Sequence, residues 1–459
     1  MNFNRVATLA VALTTCWYGC ETVDRARTVQ NEDIKVPGEF TVTPETAGLI
    51  SGRDYSLTEL EQIALEYHPS ICQARQDLES ARLQLKMTRS SRLPQISASG
   101  GYTRSTANNA AVHPYSGTTS GSWSGSLGLD LLVYDFGKLD AKDRQCVEQI
   151  IAAEEQLRAT QIEVVYALRT AFFERLRRQQ LLAVALENAN QYRVHLEEAE
   201  SMLEVGTRMQ YDVTKAKVDW GNACLDVITA SNNVKTAQGD LNLSLGLAES
   251  PLYGLTESEL PRPLVEHDAD MLMVIARENS PSLAVLKARE RSALSAVDEM
   301  IAELFPDLNF GFSFDLSGRG FPLVWNFSGA LRAAENLFDG KRNLAQIDQT
   351  VTDLRNARSR VAAAEQNLYS DLVKAVAQRD SARESSAIAK MVYDQAKENL
   401  AIVEEQYRVG TASSVERTDA QTSVTQAHAK VVTAYYDELD AQAKIDYLIG
   451  IVTSAQLKE

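Results

Sequence analysis

Long stretches of the chain place apolar residues at alternating steps of three and four positions. Between residues 160 and 203 the pattern includes Val165, Leu168, Phe172, Leu182, Leu186, Ala189, Leu196 and Leu203. A repeat of about 3.5 residues is the seam of a coiled coil. The pattern stops at Gly206, resumes over 211–245, and returns over 343–407 and from Gly410 to residue 448. It predicts long paired helices, and helices of about 40 to 60 residues are about 60–90 Å long.

Other segments alternate strictly between apolar and small or polar residues, which is the pattern of β-strands. They predict two hairpins, over 95–135 and 307–338, and the loop of the first is predicted at 105–121. Short strands with one apolar face are typical of transmembrane barrels, in which that face meets lipid. The residues predicted to face lipid are Trp123, Leu127, Leu129, Phe310, Phe312, Phe314, Trp325 and Phe327. A soluble sandwich is the alternative. Four strands cannot close a barrel alone, so the membrane interpretation requires an oligomer.

The chain repeats itself. Pro69 and Pro281 are 212 positions apart, as are Pro94 and Pro306, whereas Val205-Gly206-Thr207 returns 204 positions later as Val409-Gly410-Thr411. The eight-residue difference falls within the first hairpin, where a surface loop tolerates insertion. Each copy is predicted as helix, hairpin, long helix, turn, long helix.

The boundaries of the organisation follow from the repeat. The copies span 56–247 and 271–451, joined by an exposed linker over 248–270 that contains three prolines. A polar segment over 21–55 precedes the first copy, and a tail over 452–459 follows the second. The first helix is predicted over 57–89, capped by Ser56 with Glu59 three residues later.

Composition excludes several functions. The formal net charge of −16 makes the chain a poor partner for nucleic acid. The five histidines are scattered, and none has a partner at the spacing of metal ligands. No phosphate-binding glycine-rich loop is present. The sequence therefore predicts no catalytic residue, no metal and no cofactor. Cys72, Cys146 and Cys224 are interpreted as buried small residues rather than as a disulfide framework.

The first twenty residues have the pattern of an export signal, with Arg5 before an apolar run at 6–13. In bacterial lipoprotein signals a small residue precedes the cysteine that is acylated, for example with palmitate. Gly19 makes Cys20 the favoured lipidation site. Cys16 is the alternative, since it has the better leucine upstream but a threonine directly before it. A cleaved signal without lipid would also explain the run.

Together these features resemble the TolC-like outer-membrane factor family, in its lipoprotein branch. The resemblance covers residues 56–451 and depends on the order, duplication and spacing of the motifs. It implies a mainly α fold with a transmembrane β-barrel contribution. Three identical chains would form a twelve-stranded barrel in the outer membrane and a helical tunnel in the periplasm. The implied function is a passive exit duct for efflux or type I secretion, with a periplasmic adaptor and an inner-membrane pump as partners.

The resemblance also implies roles at the helical turns. The turns Val205-Gly206-Thr207 and Val409-Gly410-Thr411 would dock the adaptor, although a helix stop alone explains each glycine. The gate would consist of Asp212, Tyr407, Glu416 and Asp419. Asp212 would pair with Tyr407, and the other two acids would face the pore axis. Ala412 stands where the family has an arginine, which predicts weaker closure. Solvated helix charges are the alternative interpretation of these acids.

The competing hypothesis is a periplasmic coiled-coil scaffold without a pore. It explains the helices and the acidity, but not two lipid-type hairpins at matching positions of the repeat. The choice between efflux of small compounds and protein secretion stays open, because both use the same duct. The lipoprotein signal favours efflux.

If Cys20 is the lipidated N-terminus, mature protein carries acyl chains and the Cys20→Ala variant loses them. Intact-mass and N-terminal peptide mass spectrometry measure this directly. Cys16→Ala is the matched control and should leave acylation unchanged. A free N-terminus beyond Cys20 in the parent protein would contradict the prediction.

Overall fold

The computed structural model describes residues 43, 50, 52–108, 117–206, 209–249, 251–256, 268–335 and 338–451. The predicted lipidation sites Cys20 and Cys16, residue Thr207 and the tail 452–459 lie outside them. The first copy contains β1 (Asp54–Tyr55), α1 (Leu57–Tyr67), α2 (Pro69–Ser90), β2 (Gln95–Asn108), β3 (Gly117–Tyr134), α3 (Lys138–Glu204) and α4 (Gln210–Ser244). After β4 (Gly254–Leu255), the second copy contains α5 (Ala269–Asn279), α6 (Pro281–Ala302), β5 (Asp307–Gly318), β6 (Val324–Ala334), α7 (Arg342–Val409) and α8 (Ser414–Ile449).

The duplication holds in three dimensions. Helices α1 and α2 correspond to α5 and α6 at an offset of 212, and α3 and α4 correspond to α7 and α8 at an offset of 204. The two hydrophobic cores also use equivalent positions. Pairs that are buried in both are Leu60 and Leu272, Ala64 and Ala276, Leu168 and Leu372, Leu241 and Ile445, and Leu245 and Ile449. The two copies therefore bury their hydrophobic cores with the same arrangement of helices.

The first predicted helix is interrupted. Ser56 and Glu59 form the predicted capping box, but α1 ends at Tyr67 and α2 begins at Pro69. His68 is extended, with ψ 128°, and its Nδ1 accepts a hydrogen bond from Ser70 N at 3.2 Å. Proline disfavours the helical conformation for the residue before it and suits the first position of a new helix. The prediction of one helix over 57–89 was wrong at this residue.

The long helices exceed the prediction. Helix α3 has 67 residues and α7 has 68, which corresponds to about 100 Å each. Helix α3 begins at Lys138 rather than residue 160, because Asp135 accepts hydrogen bonds from Gly137 N at 3.2 Å and Leu139 N at 2.7 Å. The predicted seam is wrong at Leu186, which is 51% exposed, while Val184 is buried instead.

The four long strands form one antiparallel sheet in the order β2-β3-β5-β6. Leu127 lies opposite Phe314, which lies opposite Phe327, and Leu129 lies opposite Phe312. Directly paired residues share a face of the sheet, and so do every second residue along a strand. All eight residues predicted to face lipid therefore lie on one face. The polar face carries rows such as Ser99, Ser126, Asp315 and Asn326.

Two boundaries of the first hairpin and the linker need correction. Strand β2 extends to Asn108 and strand β3 begins at Gly117, so the loop predicted at 105–121 is shorter. Residues 109–116 lie outside the described part of the chain.

Within the predicted linker, β4 pairs in parallel with β1. Tyr253 beside it is buried against Tyr55, with ring centroids 5.7 Å apart. This part of the linker belongs to the core, because Tyr253 is buried in the hydrophobic cluster of the first copy and Leu255 packs against it.

Among the cysteines, Cys146 is buried as predicted. Cys72 is exposed and Cys224 is half-buried, so the prediction was wrong for Cys72 and only partly right for Cys224. Within the described residues, none of the helices carries an apolar stretch sufficient to cross a membrane.

The sheet yields a test of which face meets lipid. Phe312 lies on the apolar face and Ser313 on the polar face of the same strand. Phe312→Arg should destabilise the assembled protein by about 2–4 kcal/mol if the residue lies near the bilayer midplane. Ser313→Arg should cost much less because the side chain stays in water. Urea unfolding in lipid vesicles measures both, and equal losses would show that the sheet has no lipid face.

Candidate gate at the helical turns

The two turns close with glycine in the left-handed region. Gly206 has φ +79° and Gly410 has φ +88°. Their amides donate to the carbonyls of Leu203 and Tyr407, at 2.9 and 3.1 Å. Left-handed backbone is strained for any residue with a Cβ, so each glycine is accounted for as a helix end. A docking role for the glycines themselves stays a prediction.

The turns expose apolar side chains. Val205 is 80% exposed and Val409 is 71% exposed, and Met209 and Tyr211 are also exposed beside them. Thr411 is exposed too, and its hydroxyl donates to the Gln406 carbonyl at 3.0 Å. Such side chains gain free energy when a partner covers them. Helices α3 and α4 form one helical hairpin, and α7 and α8 form the other; from here on, hairpin means these helical pairs. This end of the protomer therefore offers an apolar surface at the tips of both hairpins.

The two predicted latch residues lie at the same small cavity. Its volume is about 30 Å³, and its lining includes Asp212, Tyr407, Ser414 and Arg417. Asp212 accepts a hydrogen bond from the Ser414 hydroxyl at 3.0 Å. This bond joins α4 to α8 within the protomer. The hydrogen bond between Asp212 and Tyr407 across neighbouring helices stays a prediction.

The remaining gate acids differ from each other. Glu416 belongs to a capping box: its carboxylate accepts from Ser413 N at 2.7 Å, and its own amide donates to the Ser413 hydroxyl. That role explains an acid at this position without a pore. Asp419 is exposed one turn later, and its place on the pore axis stays a prediction. Ala412 is buried.

Sequence reasoning missed the charged group at the centre of this region. Arg417 is only 8% exposed. Its Nη2 donates to Glu198 Oε2 at 2.8 Å and contacts His195 Nδ1. Its guanidinium also lies 4.7 Å from the centroid of the buried Tyr407 ring. Arg417, His195, Glu198 and Tyr407 are called the tip cluster below.

Comparing the repeats would have found Arg417. The position 204 residues earlier is Val213, which is 2% exposed and packs with Leu196 and Ala199 in a small apolar core. A charged residue that replaces a buried valine of the other copy is unlike a solvated helix charge. Pattern analysis of one copy alone could not make that distinction.

Above the tip cluster, a ladder of polar contacts joins α3 to α8. Tyr192 and Thr422 hydroxyls lie 3.2 Å apart, and Asn188 Oδ1 accepts from Gln421 at 3.3 Å and from Thr425 at 2.8 Å. Ion pairs follow further up. Arg177 contacts Asp440 at 2.5 Å, and Arg169 contacts Asp446 at 3.5 Å. The two hairpins are therefore joined along most of their length.

The pKa of His195 is lowered to about 4. Burial is the largest cause, the charge of Arg417 adds to it, and Glu198 acts in the opposite direction. The ring is therefore neutral at neutral pH, and Nδ1 can accept the hydrogen bond from Arg417. Within the described part of the chain, no cluster of His, Cys, Asp and Glu residues is placed to hold a metal ion.

The family model for outer membrane efflux proteins matches residues 60–247 and 272–451. The chain belongs to the outer membrane efflux protein family. The two matched segments coincide with the two copies of the repeat, and together they cover most of the chain. The predicted resemblance to TolC-like proteins is confirmed.

Relatives of the family support this assignment. Outer membrane protein OprJ of Pseudomonas aeruginosa is 25% identical over 394 residues, covering 81% of this chain and 78% of its own. Toluene efflux pump outer membrane protein TtgC of Pseudomonas putida is 21% identical, covering 86% and 83%. Alkaline protease secretion protein AprF of Pseudomonas aeruginosa is also 21% identical, covering 86% and 84%.

A solved structure has the same fold. The outer membrane protein VceC of Vibrio cholerae superposes with a TM-score of 0.73 at 15% identity, covering 86% of this chain and 96% of that chain. The predicted fold class is confirmed. As a member of the family, the protein is an outer-membrane channel component of an efflux or secretion system, as predicted, and the scaffold hypothesis is not supported.

Acid should loosen the tip through His195. An opened tip binds a proton between pH 6.5 and 4 that the closed tip does not bind, because the pKa is about 4 only when the ring is buried. The contribution of His195 to the free energy of closure is therefore fully present above its ordinary pKa of 6.5. As the pH falls from there towards the lowered pKa of about 4, roughly 2 kcal/mol of that contribution is lost. Arg417 and Glu198 face the ring, and Lys215 and Asp219 line the same cavity.

Hydrogen exchange of the segments around residues 195 and 417 measures this effect. His195→Asn is the matched control, because its side-chain oxygen can replace Nδ1 as an acceptor but does not titrate. The ratio of exchange rates, parent to variant, should be near one at neutral pH and should rise at pH 5. A ratio that is independent of pH would contradict the assignment to His195.

Proposed function

We propose that three copies of the chain form a passive exit duct for small compounds. An inner-membrane pump would drive the compounds through the duct, and a periplasmic adaptor would connect the two. The observation that carries the proposal is the sheet. Its order leaves β2 and β6 as edges, and an open edge invites pairing with another strand. Three copies give a closed twelve-stranded barrel with the eight apolar residues outside and the polar rows inside.

The helices support the same assembly. Helix α7 exposes Ile388, Met391, Val392 and Ile402, and α4 exposes Val218, Trp220, Leu225 and Ile228. Exposed apolar residues in such numbers along one helix mark a contact surface. In a ring of three protomers, the α7 surface of one copy meets the α4 surface of the next. The helices then enclose a tunnel that continues from the barrel into the periplasm.

The tips would receive the adaptor. The proposed docking residues are Val205, Gly206, Thr207, Val409, Gly410 and Thr411. The exposed valines supply apolar area, and the glycine turns keep the hairpin ends compact. Cys20 would carry the lipid anchor that attaches the N-terminal segment to the outer membrane. The anchor would add to the hold of the barrel rather than replace it.

Small-compound efflux is the proposed cargo class. The relatives include an efflux pump component and a protease secretion component, so the family alone permits both. The lipoprotein-type signal favours efflux. A deletion strain that becomes sensitive to toxic small compounds, with unchanged secreted proteins, supports efflux. Loss of a secreted protein with unchanged sensitivity would support secretion instead.

The resting duct would close at the tips. Three-fold symmetry makes each acid a ring of three carboxylates, which favours cations. Asp419 would form the main ring, because it is exposed and is not engaged in a cap. Glu416 contributes less, since its carboxylate is held by Ser413. Asp212 and Tyr407 would form the latch between neighbouring helices.

The latch predicts an increase in conductance. In planar bilayers, trimers with Asp212→Ala and Tyr407→Phe should conduct more than the parent, with assembly intact. Each hydrogen bond is worth roughly 1 kcal/mol at a solvated tip. Three copies acting together can shift a closed state that is favoured by only a few kcal/mol. Tyr211→Phe is the control, because Tyr211 is exposed in the same region.

Two further outcomes bear on the proposal. Asp419→Asn should reduce the preference for cations, since it removes the proposed ring. A double variant that conducts like the parent would mean that other residues close the tip. A parent protein that stays monomeric and forms no channels in bilayers would overturn the proposed function itself.

A further inference from the structure

Arg417 occupies a position that disfavours a cation twice. It lies in the first turn and a half of α8, which begins at Ser414. The N-terminal end of a helix carries partial positive charge, so a basic side chain there is unfavourable. The side chain is also 10% exposed, and burial of a charge costs free energy unless the charge is paired. Such a residue needs strong compensating contacts.

The compensation comes from two other helices. Glu198 and His195 lie on α3, and Tyr407 lies on α7. The bond to Glu198 is charge-assisted, and the stacking on Tyr407 is a cation–π contact. Arg417 therefore joins three helices of both hairpins at one point. Its contact with Tyr407 also fixes the ring that the latch would use.

The tip cluster has no counterpart elsewhere in the duplicated chain. The equivalents of Arg417 and Tyr407 in the first copy are Val213 and Leu203, and the equivalent of Glu198 in the second copy is Ile402. Val213 makes an ordinary apolar contact within its own hairpin. Arg417 keeps a contact within its own hairpin, to Tyr407, and adds contacts to the other hairpin through Glu198 and His195. Equivalent positions of the two copies therefore differ: Val213 packs only apolar residues of its own hairpin in this core, whereas Arg417 also bonds to the other hairpin.

The bond is placed where it can break. Glu198 is 45% exposed, so water or a partner can replace Arg417 as its ligand. A second ion pair between the same two helices, Arg169 with Asp446 further from the tip, has both side chains at 5% exposure or less. Exposed ion pairs are weak and buried ones are costly to break. Separation of α3 from α8 would therefore begin at the tip cluster.

We propose that Arg417 is a tie of the resting gate, holding the start of α8 against α3 so that the tip opens only after its bonds to Glu198 and His195 break. The inference rests on the proposed function, because it assumes that opening separates the two hairpins. Arg417 is a positioning residue, since it acts through Tyr407 and α3 rather than on the transported compound.

The experiment compares Arg417→Gln with Arg408→Gln. Arg408 is an exposed tip arginine bonded to Glu405 of its own helix, so its variant removes the same charge without cutting a contact between hairpins. In planar bilayers Arg417→Gln should raise the mean conductance several-fold, and Arg408→Gln should leave it close to the parent. Arg417→Lys should be intermediate, because lysine keeps the charge but not the guanidinium fork. Parental conductance in Arg417→Gln trimers would overturn the proposal.

Hydrogen exchange separates this inference from the proposed function. In purified trimers, Arg417→Gln should speed exchange around residues 195 and 417 about tenfold, as expected for the loss of one charge-assisted bond. Exchange around Arg169 should not change. If parent trimers conduct but exchange is unchanged in the variant, Arg417 is not a tie. If exchange rises but conductance does not, the cluster is structural only, and the gating role is wrong.

Failure of Arg417→Gln to assemble would still leave a decisive variant. Glu198→Gln removes the anionic partner from a half-exposed position. It should raise conductance in the same direction as Arg417→Gln and by less, since His195 and Tyr407 still hold the guanidinium. Parental conductance and exchange in Glu198→Gln would overturn the inference. A parent protein without channel activity would instead overturn the proposed function.

Discussion

Arg169 holds the protomer together at the point where its two halves meet. The side chain lies in α3 and donates from Nε to Glu61 of α1 at 2.7 Å, while Nη1 lies 3.5 Å from Asp446 of α8. Asp446 also accepts a hydrogen bond from Gln442 at 3.0 Å, and burial raises its pKa. Removing one partner from such a network leaves a buried charge unpaired, at a cost of about 3–5 kcal/mol. The first and last helices of the repeat pair are therefore fixed to α3, and both hairpins extend from this one junction.

The contacts between α3 and α8 become weaker with distance from that junction. Arg169 is fully buried, Arg177 pairs with the partly exposed Asp440 and Asp437, and the tip cluster ends on the half-exposed Glu198. Local opening is easiest where bonds are few and exposed. Separation of these helices is therefore expected to begin at the tips, because the paired side chains are more buried nearer Arg169. The same gradient explains why the proposed latch can be worth little per residue and still control the pore.

Much of the fold follows from patterns that the sequence displays directly. Period-two alternation predicted the faces of the sheet, down to the side on which Phe312 lies, because burial and register are coupled in a strand. The duplication explains why the two cores are alike, since equivalent positions bury equivalent residues. The start of α3 was missed because residues 138–159 are rich in charged residues and lack a clear seam, and Asp135 begins the helix through backbone contacts. At the gate, the sequence analysis named Asp212 and Tyr407 by resemblance, but it missed the cap formed by Glu416, although Ser413 and Glu416 have the same spacing as Ser56 and Glu59.

The residues that sequence reasoning missed share one property, which is a departure from the duplication. Arg169 stands where the second copy has Val373, Glu61 where it has Met273, and Arg417 where the first copy has Val213. Two identical copies could each bury their own core, but their sequences would not specify which face of one copy packs against the other. Charged residues at these positions supply that specificity, because Arg169 pairs with Asp446 of the second copy as well as with Glu61 of its own, and Arg417 pairs with Glu198 of the first copy. The departures from symmetry therefore mark where one repeat recognises the other, and the departure nearest the tip is also the one whose partner remains accessible to water.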